Sequence, residues 1–299
     1  MRAFELLTDS SCDLPREIVE EFGITMLPMS FTLGGQTYHE DYWASITPDE
    51  FYTRVKSGEK SMTTLFNREA FVKVFSDIAQ KGRDIVLVCL SGNISGTYEN
   101  AVGAAEDVAK SFPERRVRVV DSINATIGHG LLVLNAALKG DDGMNADETA
   151  DYLEEVKHKT YAFFTVDDLM FLHAGGRLSK FSAIAGSMLG VKPVLWVDTE
   201  GSLKVSDKKR GRKASLEWLV ECMAKCSDTS KKHKFVTIAH GNCKEDGEYV
   251  KKLVEERFDT ERVILTMLGA VIGSHSGPGT LAMFFEGDIV RTEFENNKK

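Results

Sequence analysis

The residues of this chain best placed to hold an anion fall in one short stretch, Cys89–Asn100, which reads C-L-S-G-N-I-S-G-T-Y-E-N. It contains two hydroxyl-plus-glycine pairs, Ser91–Gly92 and Ser95–Gly96. Glycine lets a backbone turn where a side chain would collide. The first N–H groups of a helix have no partner inside it and carry the positive end of its dipole. Serine hydroxyls beside such groups make a seat for a carboxylate or a phosphate. A strand-to-helix turn that needs small residues for steric reasons alone has the same letters. Three sharper readings fail on spacing: no lysine follows the second glycine as in a nucleotide P-loop, the serine stands in G-x-x-S-G rather than in the G-x-S-x-G nucleophile elbow, and G-x-G-x-x-G is absent.

Other chemistry-bearing residues are scattered. His275 stands in H-S-G-P-G between two apolar segments, where a rigid loop can offer one donor to a buried carboxylate; a loop histidine satisfied by its neighbours fits equally. Thr63 and Thr64 lie in a short hydroxyl-rich loop, Ser61–Asn67. Thr8, Asp9, Ser10 and Ser11 follow a strand, and either line a site at its end or cap the turn behind it. Arg177 in G-G-R-L-S and the cluster Arg210, Arg212 and Lys213 concentrate positive charge in an acidic chain. They suit docking of an acidic partner or a phosphate, or form a solvated charge run. The seven histidines show neither H-x-x-x-H nor H-E-x-x-H. Of the five cysteines, Cys222 and Cys226 have helical spacing rather than C-x-x-C, so no metal and only reduced, mostly buried thiols are expected.

The elements that must position these residues follow from periodicity. Asp84–Leu90 is a continuous apolar run of strand length, as in a parallel strand covered on both faces. Thr97–Ser111 has helical spacing and ends before Pro113. Strands are expected at Phe4–Leu7, Arg116–Asp121 and Tyr161–Val166, with helices over Pro15–Phe22, from Pro48, over Arg68–Gln80, after Asn124 to Leu138 and from Asn145. This alternation gives a parallel sheet with helices on its faces. Later, Val191–Asp198 and Leu203–Asp207 read as a hairpin, Lys208–Lys213 as the start of a helix Ala214–Cys226, Phe235–His240 and Arg262–Leu268 as strands flanking a helix, and Leu281–Phe285 as a last strand.

With 299 residues the chain is long enough for two domains, expected at 1–160 and 161–299. A composition of 42% hydrophobic and 27% charged residues is that of a soluble globular protein. The net charge of −8 argues against a nucleic-acid binder, whose phosphate contacts need surplus Lys and Arg. No apolar run is long enough to span a bilayer and the first residues lack signal-peptide character, so a cytoplasmic protein without stable membrane insertion is expected.

Taken together and in order, T-D-S-S-C-D-L-P at Thr8–Pro15, the threonine loop at Thr63–Asn67, L-S-G-N-I-S-G-T-Y at Leu90–Tyr98, V-D-S at Val120–Ser122, G-G-R-L-S at Gly175–Ser179, G-V-K-P at Gly190–Pro193 and H-S-G-P-G at His275–Gly279 resemble the DegV family of bacterial fatty-acid-binding proteins. The resemblance implies two α/β domains, an N-terminal Rossmann-like one with a parallel sheet and a second with a mixed sheet, and one long-chain fatty acid between them. It implies that Thr63, Ser95, the N–H of Gly96 and His275 hold the carboxylate, with no cofactor. It further implies that Arg177 and Arg210 serve when the head group is presented to a separate fatty acid kinase, which makes an acyl phosphate for phospholipid synthesis. The threonine loop departs from the family's usual T-S-Q-P, reading Thr63-Thr64-Leu65-Phe66. The chain would then be a carrier and not an enzyme. The competing reading is a relative of dihydroxyacetone-kinase-type enzymes or a small-molecule hydrolase.

Overall fold

The computed structural model describes residues 2–178 and 190–296. The first part of the chain runs β1 (Phe4–Asp9), α1 (Arg16–Glu21), β2 (Thr25–Leu27), β3 (Ser30–Leu33), β4 (Gln36–His39), α2 (Pro48–Lys56), β5 (Ser61–Thr64), α3 (Arg68–Ala79), β6 (Asp84–Cys89), α4 (Thr97–Ser111), β7 (Val117–Asp121), α5 (Thr126–Asp141) and α6 (Ala146–Val156). After it come β8 (Thr160–Thr165), α7 (Met170–Ala174), β9 (Val191–Val197), β10 (Leu203–Arg210), α8 (Arg212–Cys226), β11 (His233–His240), α9 (Lys244–Arg257), β12 (Thr260–Met267), α10 (Ala270–Ser276), β13 (Leu281–Glu286) and α11 (Arg291–Asn296).

Two α/β domains result. In the first, the strand order is β2-β1-β6-β7, all parallel. The expected apolar run fills the centre of this sheet as β6, buried from Ile85 to Cys89. In the second, the order is β10-β9-β8-β13-β11-β12, antiparallel except for the parallel pair β11 and β12. A small antiparallel sheet, β4-β3-β5, is built on a hairpin that the sequence also suggests, with Ile24–Leu33 extended and Gly34–Gly35 turning tightly into Gln36–His39; its third strand, β5, is the part that the sequence pattern did not disclose. The helix starts do follow local chemistry. Thr47 accepts from the Glu50 N–H with Pro48 in the first turn, Asn67 accepts from the Ala70 N–H, and Asn145 with Glu148 closes a capping box.

Helix α5 joins the domains. Of its 16 residues 13 are buried, because it packs on β1 and β6 of one sheet and on β8, β11 and β13 of the other. Its glycines allow this on both sides. A Cβ on Gly128 would stand 2.3 Å from the ring of Phe284, and one on Gly130 would stand 2.8 Å from the carbonyl oxygen of Cys12. At 3.6 residues per turn these two positions point about 200° apart, towards opposite sheets. His129, between them, brings Nε2 within 2.9 Å of the Thr8 hydroxyl and 2.8 Å of the Val88 carbonyl oxygen. Arg291, only 1% exposed, donates to the carbonyls of Ile123, Asp198 and Lys157, tying α11 to the junction. Burial lowers its pKa to about 10, which still leaves it charged at neutral pH.

Three readings are corrected. Ser61–Thr64 is strand β5 rather than loop, because its threonine pair finds an antiparallel partner in β3, with Thr63 opposite Phe31. The hairpin strand β10 runs on through Lys208, Lys209 and Arg210, opposite Pro193, Lys192 and Val191, so Arg210 closes a strand and does not open a helix. His275 lies in the last turn of α10 rather than in a loop. Of the G-G-R-L-S motif, Ser179 lies outside the described residues, as does the following stretch as far as Leu189.

Replacing either Gly128 or Gly130 by Ala should cost roughly 1–3 kcal/mol through overpacking. Gly103→Ala in α4 should be neutral or gain up to about 1 kcal/mol from helix propensity, because its Cβ would meet only the movable tip of Arg68. Urea unfolding of the three variants checks this; equal stability in all three would mean that α5 is not clamped from both sides.

Candidate functional site

Strand β6 delivers the chain to Leu90 and the serine-glycine loop. Within the loop the Ile94 and Ser95 N–H groups both donate to the Ser91 carbonyl, at 2.9 and 3.0 Å, which winds it tightly into α4. The two serine-glycine pairs have different tasks. The Ser91 hydroxyl donates to the Gly201 carbonyl at 3.0 Å and the Gly92 N–H donates to Asp121 at 3.2 Å, so the first pair fastens the loop to the β9–β10 turn and to β7. That turn fits only a glycine: Gly201 has φ +82, and a Cβ there would stand 2.2 Å from Ser91 Oγ. The second pair faces a cavity. Ser95 Oγ lies 3.0 Å from the Thr97 hydroxyl, and Gly96 is the N-cap residue of α4.

Across the cavity stands α10. His275 Nε2 lies 2.9 Å from Thr63 Oγ1, and one turn of the ladder away Ser61 and Ser274 share a 2.6 Å hydrogen bond, so β5 and α10 are stitched side chain to side chain. The end of α7 closes over the ring: a Cβ on Gly175 would be 2.5 Å from His275 Nδ1. Arg177 completes the circuit, donating through Nε to the Ile94 carbonyl at 3.2 Å and through Nη1 to the Gly175 carbonyl. Thr63, His275, Arg177 and Ser95 thereby line one cavity, with Thr63 bonded to His275, Arg177 to backbone carbonyls on both sides and Ser95 to Thr97.

These residues line a cavity whose other walls are mostly apolar, including Leu90, Ile94, Phe164, Leu268, Ile272 and Phe284. On its outer side, Thr63, His275 and Arg177 also border an open recess with Lys60, Ser61 and Ser274. The polar group therefore stands between an apolar interior and the surface. Burial, and then the positive charge of Arg177, push the His275 pKa down to about 4, so the imidazole is neutral at pH 7. Burial also lowers the pKa of Arg177. An anion entering here finds a desolvated guanidinium, neutral donors and a helix start.

The structure thus places Thr63, Ser95 and His275 on the wall of one cavity, with Gly96 next in the chain to Ser95 as the N-cap of α4. It also puts Arg177 on the cavity wall, which its sequence context did not reveal. Arg210 is exposed at the end of β10 and does not line the cavity. The rest of the basic cluster is engaged: Arg212 lies 2.8 Å from Asp246 and Lys213 lies 3.8 Å from Glu217. The apolar wall residues come from many elements and carried no common sequence signal. Among the described residues no group of His, Cys, Asp and Glu could hold a metal ion, and no helix is long and apolar enough to cross a membrane.

Residues 3–288 match the family described as "Uncharacterised protein, DegV family". The chain belongs to the DegV family. A DegV domain-containing protein of Clostridium perfringens is 35% identical over 288 residues, 96% of this chain and 99% of the relative. Two solved DegV structures are similar throughout. A fatty-acid-binding DegV protein from Thermus thermophilus has 28% identity and a TM-score of 0.86, with 96% of this chain and 100% of that one covered. DegV of Bacillus subtilis, described as a fatty acid binding protein, has 29% identity and a TM-score of 0.80 with the same coverage. The two-domain architecture of this DegV chain is that of these structures.

The depressed pKa of His275 has a defined pH signature. Its contribution to stability is complete above about pH 6.5 and is lost as pH falls towards 4, because only the unfolded chain takes up the proton easily in that window. In an NMR titration of ligand-free protein, the His275 ring should stay neutral from pH 7 down to about 5. Arg177→Ala should move its titration upwards. A His275 that titrates near 6.5 in the wild type contradicts the buried site described above.

Proposed function

We propose that this chain carries a long-chain fatty acid, with the carboxylate held by Thr63, Ser95, the Gly96 N–H and His275 and the tail in the apolar cavity between the two domains. The observation that carries this reading is that Thr63, Ser95, Arg177 and His275 stand together on the wall of a mostly apolar cavity, three of them also bordering an open recess. The fatty-acid binding stated for the Thermus and Bacillus relatives supports it. So does the energetics: burying ~15 methylenes at ~0.8 kcal/mol each supplies on the order of 12 kcal/mol before entropy losses. The tail then provides the affinity and the polar group orients the head. A carboxylate in the site pairs with Arg177 and raises the pKa of His275 by stabilising its protonated form. A hydrolase would need a base on Ser95, whereas His275 bonds Thr63.

The recess outside His275 gives the carboxyl group a way to be reached without withdrawing the tail. The protein then acts as the substrate-presenting partner of a cytoplasmic fatty acid kinase, which phosphorylates the bound carboxylate to an acyl phosphate for phospholipid synthesis, and needs no cofactor of its own. Arg210, exposed on the β10 strand end, belongs to the kinase-facing surface. Arg177 serves both partners, because its guanidinium lies on the cavity wall and on the recess.

Native mass spectrometry of the purified protein should show an added mass of one fatty acid. Ser95→Ala and Thr63→Val should each weaken binding of a fluorescent fatty acid by roughly 1–3 kcal/mol while leaving the fold intact. Unchanged affinity in both variants would falsify the placement of the carboxylate. With kinase and ATP supplied, Arg210→Ala should keep the lipid but slow acyl-phosphate formation, whereas Arg177→Ala should lose affinity as well. Full phosphorylation of the Arg210 variant at wild-type rate removes that residue from the docking surface.

A further inference from the structure

On the far side of α10 from the serine-glycine loop, two carboxyl groups converge from distant parts of the sequence. Asp13 follows β1 through a short turn and adopts φ 51; Glu40 directly follows β4. Asp13 Oδ1 accepts the Gly269 N–H at 2.9 Å and Glu40 Oε1 accepts the Val271 N–H at 3.0 Å. The contact is close, because a methyl on Gly269 would stand 2.2 Å from Glu40 Oε1 and 2.7 Å from Asp13 Oδ1. Asp13 is 7% exposed, and the Glu40 stem reaches the surface while its carboxyl is inside. Asp13 Oδ2 and Glu40 Oε2 are both buried without a hydrogen-bond donor in satisfying geometry. The Thr126 and Ser10 hydroxyls offset only part of their charge.

The surroundings do not neutralise the pair. Asp9 adds repulsion from the β1 end, and the Cys12 thiol and the Tyr52 hydroxyl, which donates to the Leu268 carbonyl at 2.9 Å, face it as neutral groups. On the rim of the adjoining cavity stand Glu17, His39, Asp41 and Arg16, the last lying over the Tyr42 ring. Two adjacent buried carboxyls cannot both ionise cheaply. Burial raises both pKa values, that of Glu40 to about 7, with repulsion from Glu40 and Asp9 adding to Asp13 and repulsion from Asp9 adding to Glu40.

Helix α10 is pinned at its start by this pair and near its end by the Thr63–His275 and Ser61–Ser274 hydrogen bonds. Between those pins it supplies Val271, Ile272 and His275 to the cavity wall. We infer that Asp13 and Glu40 are positioning residues for the carboxylate site: accepting from the Gly269 and Val271 N–H groups, they fix the start of α10 and hold His275 in place, and full ionisation of the pair loosens the helix and lowers ligand affinity. The coupling to affinity rests on the fatty-acid reading; the coupling to the helix does not. For a carboxyl raised from 4.5 to about 7, the stabilising contribution is complete below about 4.5 and disappears as pH rises through 7.

The test uses the full chain with two readouts between pH 6 and 8.5, where His275 of the ligand-free protein does not titrate and any titration of the ligand-bound ring is common to wild type and variants. The first is hydrogen exchange of the α10 amides, corrected for intrinsic rate. The second is the affinity for hexadecyl sulfonate, whose charge is constant in this range. In the wild type the protection of these amides and the affinity should both fall about fivefold as pH rises, within the usual span of site-to-site coupling. In Glu40→Gln, which keeps the acceptor for Val271 but cannot ionise, protection should be flat and affinity should keep only the dependence that the ligand-bound His275 ring contributes; Asp13→Asn serves the same purpose should that variant not fold. Exchange that is flat in the wild type, or equally pH-dependent in the variants, overturns the inference. Exchange that changes while affinity stays constant overturns the coupling to the site. Failure of both hexadecyl sulfonate and palmitate to bind at any pH instead overturns the fatty-acid reading, and the exchange result then decides the role of the pair alone.

Discussion

A helix that is covered on every side has to be approached closely by everything around it, and α5 sets that condition for this molecule. Its apolar residues face both sheets, so neither sheet can bury its inner face without it. Close approach requires the absence of side chains at Gly128 and Gly130, where a methyl would strike Phe284 on one side and the Cys12 backbone on the other. The two domains are thereby joined through a shared core rather than through a linker. Phe4, Val86 and Val120 of the first sheet and Ala162, Ala239 and Phe284 of the second belong to one continuous cluster. A change in the tilt of either sheet is felt along the whole helix, since close-packed interiors transmit strain.

The apolar cavity is the space that this arrangement leaves open at the start of α5. Ala125 and Thr126 line it where the helix begins, Leu90 and Ile94 line it from the end of the first sheet, and Phe164 and Phe284 from the second. The serine-glycine loop sits at the C-terminal end of a parallel strand, which is where open α/β sheets bind ligands. Its first serine is spent on the β9–β10 turn, so the loop is fixed by the second domain before it binds anything. A seat held in this way is preorganised, and the ordering cost is met during folding rather than on binding.

The electrostatics follow from the same enclosure. His275 is buried beside the half-buried Arg177, so burial and then the guanidinium's charge keep the imidazole neutral. Negative charge has been placed on the opposite side of α10, in Asp13 and Glu40, where it meets the free N–H groups of that short helix. The helix thus separates an anion-accepting surface from a carboxyl pair, and its position depends on both.

The sequence by itself determined those features that depend on neighbours in the chain. The buried strand β6, the start and end of α4, the caps of α2, α3 and α6 and the alternation that makes the first sheet parallel are all set by local periodicity and capping. So is the presence of hydroxyls and glycines at Ser95 and Gly96, and the ordered motifs were enough to recognise the family. Tertiary structure decided what local pattern could not encode. Ser61–Thr64 is a strand only because β3 offers it a partner, and Arg210 ends a strand because β9 continues alongside it. Arg177 points at the cavity because the Ile94 carbonyl is there to receive it, and His275 becomes neutral because α7 and Arg177 enclose it. Asp13, which next to Pro15 has the look of a cap for α1, instead accepts from Gly269, and its meeting with Glu40 exists only once α10 is placed between their chain segments. Such properties arise from contacts between residues up to 256 positions apart, as between Asp13 and Gly269, and no periodicity within one segment records them.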